Sequence, residues 1–196
     1  MGLRNFRTLS NLHFNVSIPV QTGRPTPQVL TDVRAAATES NPSFTAKVLT
    51  PVKISANTLI GKDLLLQAED SVTQFVIDSL VKEIGYKVEN YMLNKIIEAQ
   101  PTEINYSSLS AIDWSDIVAF EAATGGFALT NLEFIMSPSA RSVLKSTPKT
   151  ANYPSFLCED NTINGYPCRV SGCVDNDTIF YGDFGHLILG IFGPGM

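Results

Sequence analysis

The sequence predicts an α+β fold, in which strands and helices occupy separate stretches of the chain. Two stretches near the N-terminus alternate apolar and polar residues, which is typical of strands with one buried face. A long stretch over residues 70–94 repeats its apolar residues every three or four positions, as an amphipathic helix does. The last third, residues 131–193, alternates short apolar runs with Gly, Pro and Asn, and this pattern predicts short strands around one short helix.

The composition is that of an ordinary globular protein. Of 196 residues, 44% are hydrophobic and 17% are charged, and the net charge is −5. Such a chain is not disordered, and its length allows a sizeable core. Lys and Arg form no basic run, so we expect no sequence-specific binding to nucleic acid. The longest apolar run, residues 187–192, is too short to cross a bilayer, so we expect no membrane partner.

The two alternating stretches cover residues 12–20 and 44–56. In the second, Phe44, Ala46 and Val48 share one face. We expect the two strands to pair antiparallel as a ribbon around a loop at residues 21–42, which is rich in Gly and Pro. A two-stranded ribbon is only marginally stable by itself, so we expect this one to need a partner surface in this chain or in another.

The helix over residues 70–94 is predicted to begin at Asp70, which supplies the N-cap. Ile77 and Val81 lie off its main apolar stripe, so we expect more than one face to be covered. The main stripe comprises Val72, Phe75, Val76, Leu80, Ile84, Val88, Tyr91 and Met92.

Further elements follow this helix. A short helix over residues 114–122 is predicted to have Ser110 or Asp113 as its cap and to end at Gly125-Gly126. Another is predicted to begin at Ser137-Pro138. We predict strands at 132–136, 166–170, 178–181 and 186–192, and a loop at 146–161.

The sequence carries no strong catalytic or metal-binding pattern, and we expect no enzyme activity, no cofactor and no metal. Cys158, Cys168, Cys173 and His186 are zinc-ligand types, but they lack the CxxC pair that structural zinc sites usually show. Cys158 or Cys173 with His186 and Asp183 would be a nucleophile, its base and an orienting group. Reduced thiols are the favoured interpretation, with a cysteine hydrolase or a zinc module in the last third as lower alternatives.

Motifs along most of the chain, over about residues 12–193, match one family in type and order. The match is carried by FNVSIPVQTG, ATESNPSFTAKVLTPVKISANTLIGKDLL, FIMSPSARSVLK, NGYPCRVS and FYGDFGHLILGI. Together these segments resemble the major capsid protein of tailed bacteriophages, whose Hong Kong 97 fold encapsulins share. The matching positions are Glu39, Pro42, Ser43, Phe44, Leu49, Thr50, Pro51, Lys53, Leu64, Leu65, Gly165, Pro167, Gly182, Asp183 and Phe184.

The resemblance implies a long spine helix, an extended β-hairpin loop, and an axial domain with a small mixed sheet flanked by short helices. Compared with the family, the chain is expected to be truncated at both ends. The implied division is an N-terminal remnant (1–11), a peripheral domain (12–103) with the extended loop (21–42) and the spine helix (70–94), an axial domain (104–180), and a return strand (181–196).

The resemblance also implies the function. The chain is expected to be a structural subunit of a viral, prophage-type icosahedral capsid, made in the bacterial host cytoplasm and located in the virion. Pentamers and hexamers of itself, with scaffolding or portal proteins, are the implied partners. An encapsulin-like nanocompartment shell is the alternative. The extended loop is expected to reach a neighbouring subunit through Arg24, Pro25, Asp32, Arg34 and Glu39.

Overall fold

The computed structural model describes residues 6–31, 34, 36–61, 71–99, 101–106, 108–124, 131–150 and 153–193. Contacts within the chain divide it into two units. The core unit comprises Met1–Arg7 and Ile54–Leu187, and the ribbon unit comprises Thr8–Lys53 and Ile188–Met196. The chain combines helices with strand pairs that are mostly antiparallel, which confirms the predicted α+β class.

The ribbon unit contains two strand pairs. Strand β1 (Arg7–Leu12) pairs with β10 (Ile188–Phe192), and β2 (Val16–Gly23) pairs antiparallel with β3 (Ser43–Leu49). The predicted ribbon is therefore confirmed.

Its predicted boundaries are wrong in three places. The single strand predicted at 12–20 is divided, because β1 ends at Leu12 and β2 begins at Val16. Strand β2 continues to Gly23, because Gln21 pairs with Phe44, so the connecting loop covers residues 24–42. Strand β3 ends at Leu49, since Pro51 offers no N–H to a ladder.

The core unit begins with helix α1 (Ser71–Glu98), whose 28 residues span about 42 Å. It continues past the predicted end at Asn94 because Ile96 packs against a buried cluster. Asp70, the predicted cap, lies outside the described residues. None of the helices in the described ranges is long and apolar enough to cross a membrane.

Two short helices follow, and both have side-chain caps. Helix α2 (Trp114–Ala123) begins with a capping box, in which Asp113 accepts from the Asp116 N–H at 3.1 Å and Asp116 accepts from the Asp113 N–H at 3.1 Å. Of the two predicted caps, Asp113 is the one used. The predicted stop at Gly125-Gly126 lies outside the described residues. Helix α3 (Pro138–Ser146) begins as predicted, with Ser137 accepting from the Ala140 N–H at 3.0 Å.

A four-stranded mixed sheet forms the centre of the core unit, in the order β7 (Thr162–Ile163), β8 (Tyr166–Val170), β4 (Leu132–Met136) and β9 (Ile179–Asp183). Strand β4 is parallel to β8 and antiparallel to β9. The strand predicted at 178–181 is observed at Ile179–Asp183. The strand predicted at 186–192 begins only at Ile188. A 3-10 turn at Phe184–His186 precedes it, held by Asp183, which accepts from the Gly185 N–H at 2.9 Å.

The loop predicted at 146–161 contains a hairpin of β5 (Pro148–Thr150) and β6 (Tyr153–Phe156). The sequence did not indicate it, because both strands are very short and carry Pro. Hydrophobic clusters cover the two faces of the sheet, since side chains alternate along β4. Phe134 and Met136 enter one cluster, while Ile135 packs in the other with Leu93 of α1.

Candidate assembly surfaces

The C-terminal half of α1 is held on the sheet by polar contacts to the turn after β8. The Ser171 hydroxyl donates to Glu89 Oε1 at 2.6 Å, and the Tyr86 hydroxyl donates to the Gly172 carbonyl at 2.6 Å. The neighbouring Cys173 thiol raises the pKa of Tyr86 above its ordinary value. This side of α1 therefore contacts the sheet of its own chain.

A second polar contact lies within the sheet. Glu133 of β4 is 1% exposed and pairs with the Arg169 guanidinium of β8. Glu133 and Ile135 share a face of β4, and Arg169 lies opposite Ile135, so the pair lies on the Ile135 side of the sheet. The Arg169 side chain is 30% exposed, but the Glu133 carboxylate is buried, and removing the partner of a buried charge typically costs about 3–5 kcal/mol. The pair therefore links β4 to β8 within the sheet that supports α1.

The β2–β3 register gives the ribbon two different faces, because residues directly opposite each other in an antiparallel pair point to the same side. Residue Ser17 lies opposite Val48, and Ile18 lies opposite Lys47. The apolar sets of β2 and β3 consequently lie on opposite faces. The Phe44 face comprises Ser17, Pro19, Gln21, Phe44, Ala46 and Val48, and the Ile18 face comprises Val16, Ile18, Val20, Thr45, Lys47 and Leu49.

The two faces differ in how far they are covered. On the Ile18 face, Val16, Ile18 and Leu49 are partly buried, and the Leu49 side chain lies close to Gly190 of β10. Every residue of the Phe44 face is exposed, with Phe44 at 62% and Val48 at 56%. The Phe44 face is therefore an apolar surface that the described chain leaves open to solvent.

Helix α1 carries another exposed apolar surface. Ile77, Leu80, Val81, Ile84 and Val88 recur at three- and four-residue steps and form the Ile77–Val88 stripe. Ile77 is 48% exposed and Val81 is 64% exposed, while the other three are half-buried. At 100° per residue, the stripe lies on the side of α1 away from the residues that dock on the sheet. Leu80, Ile84 and Val88 belong to the main stripe predicted from the sequence, and Ile77 and Val81 lie beside them on the same side of the helix.

The loop at residues 24–42 carries the residues predicted to contact a neighbouring subunit. Arg24, Pro25, Arg34 and Glu39 are exposed, and Asp32 lies outside the described residues. The two arms of the loop are joined by side chains: Thr26 N–H donates to Ser40 Oγ at 3.0 Å, and Thr38 N–H donates to Gln28 Oε1 at 3.0 Å. The arms therefore stay close together beyond the end of the ribbon.

The structure separates the candidate catalytic and zinc-binding residues. Cys158 and Cys168 are buried in one hydrophobic cluster, whereas Cys173 packs against the other and His186 is exposed. Burial raises the pKa of Cys168 to about 12, so it is a protonated thiol at neutral pH. Asp183 lies 3.8 Å from His186. Within the described ranges, no group of three or more His, Cys, Asp or Glu side chains could hold a metal ion.

An open groove of about 720 Å³ lies beside β9. Its walls are largely apolar, with Ile96 and Ile97 of α1, Phe120 of α2 and Ile179 of β9 among the lining residues. Glu103 and Asp177 are the carboxylates that line it, and its described lining contains no His, Cys or Lys. The described lining of the groove therefore lacks the thiol and the imidazole that a cysteine hydrolase would use.

Sequence reasoning missed the two buried polar contacts that join distant segments, Glu89–Ser171 and Glu133–Arg169. Glu89 is a charged residue within a long helix, and a single sequence gives no sign that its side chain is buried against the sheet. For Glu133 a weak signal exists, since it interrupts the apolar run of a strand whose other residues are all apolar.

Comparison with known proteins identifies relatives along nearly the whole chain. The model of the phage capsid family matches residues 2–195. The major capsid protein of Halomonas phage phiHAP-1 is 25% identical over 203 aligned positions, which cover 98% of this chain and 34% of that protein. The chain thus spans about a third of the length of this curated relative.

Two solved structures share the fold. They are the capsid of a native GTA particle and the capsid of an empty GTA particle, both computed with C5 symmetry. The TM-scores are 0.71 and 0.70, at 13% and 12% identity, and each alignment covers 92% of this chain and 72% of the other. At this identity the likeness establishes the fold alone.

Proposed function

The chain belongs to the phage capsid family, as its sequence motifs predicted, and on this premise we propose that it is a structural subunit of a viral capsid shell. The shell is built through contacts between copies of the chain, and the subunit performs no catalytic step. The protein is made in the bacterial host cytoplasm and is located in the virion.

The observation that carries this proposal is the ribbon. Strands β2 and β3 pair only with each other among the described strands, and their Phe44 face is wholly exposed. A two-stranded ribbon of this kind is marginally stable in water. Exposed apolar surface of this extent is expected where another protein surface covers it. A shell subunit has neighbours that provide such a surface.

The loop at 24–42 extends this proposal. We propose that Arg24, Pro25, Asp32, Arg34 and Glu39 contact a neighbouring subunit. The exposure of Arg24, Pro25, Arg34 and Glu39 supports this role. The hydrogen bonds that join the two arms support it as well, since a loop whose arms are joined loses less entropy when it docks.

We also propose the larger organisation. The division into a peripheral domain (12–103), an axial domain (104–180) and a return strand (181–196) describes positions in a shell. The two units described above are defined differently, by contacts within one chain, and by that criterion α1 belongs with the four-stranded sheet. Pentamers and hexamers of the chain, with scaffolding or portal proteins, complete the proposed set of partners.

Assembly tests the function directly. Purified protein is examined by light scattering and electron microscopy, and closed shells or rings are expected. In a variant, Asn-Gly replaces residues 24–42, a turn that keeps β2 and β3 paired. This variant is expected to remain folded by circular dichroism and to lose the shells. A wild-type protein that remains monomeric at every concentration contradicts the proposal.

The relatives reported above are capsid proteins and favour neither an encapsulin-like compartment nor a hydrolase or zinc module. The contents of the particles separate the first two roles. Particles purified from cells with a defined protein cargo would indicate a compartment, whereas particles that package DNA would indicate a virus.

A further inference from the structure

We propose that the groove beside β9 binds an extended segment of a second protein, which adds to the four-stranded sheet as a fifth strand. The segment consists of a short run of apolar residues with a Lys or Arg next to it. This inference goes beyond the proposed function, because each subunit binds such a segment by itself and no assembled shell is needed.

Strand β9 lies at one end of the sheet and has an unused edge. Among the described strands it pairs with β4 alone, and the edge away from β4 makes no backbone hydrogen bond to another described segment. Proteins usually protect such an edge with Lys, Pro or a β-bulge. Residues 179–183 contain no Lys or Pro, and their register with β4 is unbroken. The edge is therefore able to accept a further strand.

The groove lies along this edge, in the plane of the sheet. Phe180 and Tyr181 point to opposite faces of β9 because side chains alternate along a strand, and yet both line the groove. The helices on the two faces of the sheet contribute as well. Ile96 of α1 packs against one hydrophobic cluster and Phe120 of α2 against the other, and both line the groove. The open space is therefore where the next strand of the sheet would lie.

The segment that connects α1 to α2 forms the outer wall of the groove. Its residues 101–106 are among the lining residues, and the Tyr106 hydroxyl donates to the Asp177 carbonyl in the turn before β9. The groove has a volume of about 720 Å³, and binding pockets typically have about 300–1,000 Å³. The five residues of β9 rise about 17 Å, so the edge offers pairing to a strand of about five residues.

The lining of the groove determines the chemistry of its occupant. A strand with apolar walls on both of its faces has a continuous run of apolar residues, because side chains on both faces are covered. Glu103 and Asp177 also line the groove and are exposed, whereas its described lining contains no Lys, Arg or His. A Lys or Arg beside the apolar run is attracted to these two carboxylates. The groove therefore favours a short apolar strand with a basic neighbour.

The described strands of a second copy do not offer this segment. Strand β10 is a run of apolar residues around one Gly, but it is already paired with β1. Strands β2 and β3 alternate apolar with polar residues, and they pair with each other. The occupant therefore comes from a different protein, by the addition of a strand to an exposed sheet edge.

Binding of a synthetic peptide to the full chain tests the site. The peptide contains five alternating Val and Ile residues between two Lys residues and carries a fluorescent label. Fluorescence anisotropy is expected to show saturable binding. A second peptide, with Glu in place of both Lys residues, is expected to bind at least about fivefold more weakly, because it is repelled by Glu103 and Asp177.

Variants of the chain test whether these two carboxylates set the preference. Glu103→Lys combined with Asp177→Lys is expected to reverse it, so that the peptide with Glu binds more tightly. The matched control is Asp78→Lys combined with Glu83→Lys, which changes the net charge by the same amount at exposed positions of α1. These positions lie about 20 Å or more from Ile96 along the helix, and the control is expected to keep the preference for Lys.

Pairing with β9 is tested separately from burial in an apolar groove. Alternate residues of an added strand direct their N–H groups to its neighbour. Two further peptides therefore carry N-methyl groups, one at the odd positions and the other at the even positions of the apolar run. One of them is expected to bind at least about tenfold more weakly than the other, because it has lost the donors that face β9.

The outcomes separate this proposal from the shell function. The proposal is overturned if the unmodified peptide shows no saturable binding, if the two N-methylated peptides bind equally, or if the Glu103→Lys and Asp177→Lys variant still prefers Lys. If circular dichroism shows that this variant fails to fold, Glu103→Lys alone replaces it. A variant with altered assembly in the absence of peptide would show that a second copy occupies the groove, which also overturns the proposal. Protein that binds the peptide and forms no shell contradicts the shell function and supports the groove assignment.

Discussion

The Ser171 hydroxyl donates a 2.6 Å hydrogen bond to Glu89 Oε1, and both residues are buried. Glu89 belongs to α1 and Ser171 follows β8, so the bond joins the long helix to the central sheet. The backbone N–H of Cys173 also donates to Ser171 Oγ, at 3.1 Å, which orients the hydroxyl. The residues that dock α1 therefore include a polar contact as well as Leu93 and its apolar neighbours.

Removal of this hydroxyl is expected to weaken the docking of α1. In Ser171→Ala, the buried Glu89 carboxylate loses a donor, and the expected loss in the free energy of unfolding is about 1–3 kcal/mol. Urea denaturation at neutral pH measures it. Ser142→Ala, at an exposed position of α3, is the control and is expected to change stability by less than about 0.5 kcal/mol. Equal stability of the two variants would contradict the role given to Ser171.

The Glu133–Arg169 pair is expected to show coupling. Arg169→Met leaves a buried carboxylate beside an apolar side chain, and the expected loss is about 3–5 kcal/mol. Glu133→Gln removes the negative charge of the pair instead of the positive one. If the two residues interact as the structure indicates, the double variant loses less stability than the sum of the single variants, because the second change no longer breaks a pair. Additive losses in a denaturation cycle would show that the pair is not coupled.

Alkaline pH is expected to destabilise the core through Cys168. Burial raises its pKa from the ordinary 9.0 to about 12, and the nearby Cys158 contributes to the rise. A raised pKa favours the protonated thiol in the folded state. This contribution to stability is complete below about pH 9 and is lost as the pH rises toward 12.

Thermal unfolding between pH 8 and pH 11 measures this effect. Cys168→Ala is expected to be less stable at pH 8, because it leaves a small cavity, and to lose less additional stability as the pH rises. At pH 8, a thiol reagent is expected to label the half-buried Cys173 before Cys158 and Cys168. Rapid labelling of Cys168 in the folded protein would be inconsistent with its burial.

The turn between β7 and β8 is expected to require glycine. Asn164 and Gly165 have φ values of 49° and 84°, as in the two-residue turns that favour Asn-Gly. Gly165→Ala is expected to cost about 1–2 kcal/mol, because an L residue is strained at this φ. Gly182→Ala is the matched control, since a Cβ at either position meets no atom within 4 Å and Gly182 has no positive φ. Similar stability of both variants would exclude backbone strain as the reason for glycine.

The elements that the sequence predicted well are those with local signals. The ribbon, the long helix, the Ser137 cap and the strands at 132–136 and 166–170 all follow from periodicity or capping within a few residues. Errors occur where tertiary contacts override those signals. Helix α1 continues past Asn94 because Ile96 is packed, and the β5–β6 hairpin forms despite its short strands.

The amino-acid sequence by itself determined the α+β class, the order of the elements and the membership of the phage capsid family, since these depend on local pattern and on motifs in a given order. Tertiary structure decided which residues meet. Alternation assigns each residue to a face of its own strand, but only the β2–β3 register places Phe44 and Ile18 on opposite faces of the ribbon. Likewise, Glu89 and Ser171 are 82 positions apart, and their bond depends on how α1 lies on the sheet.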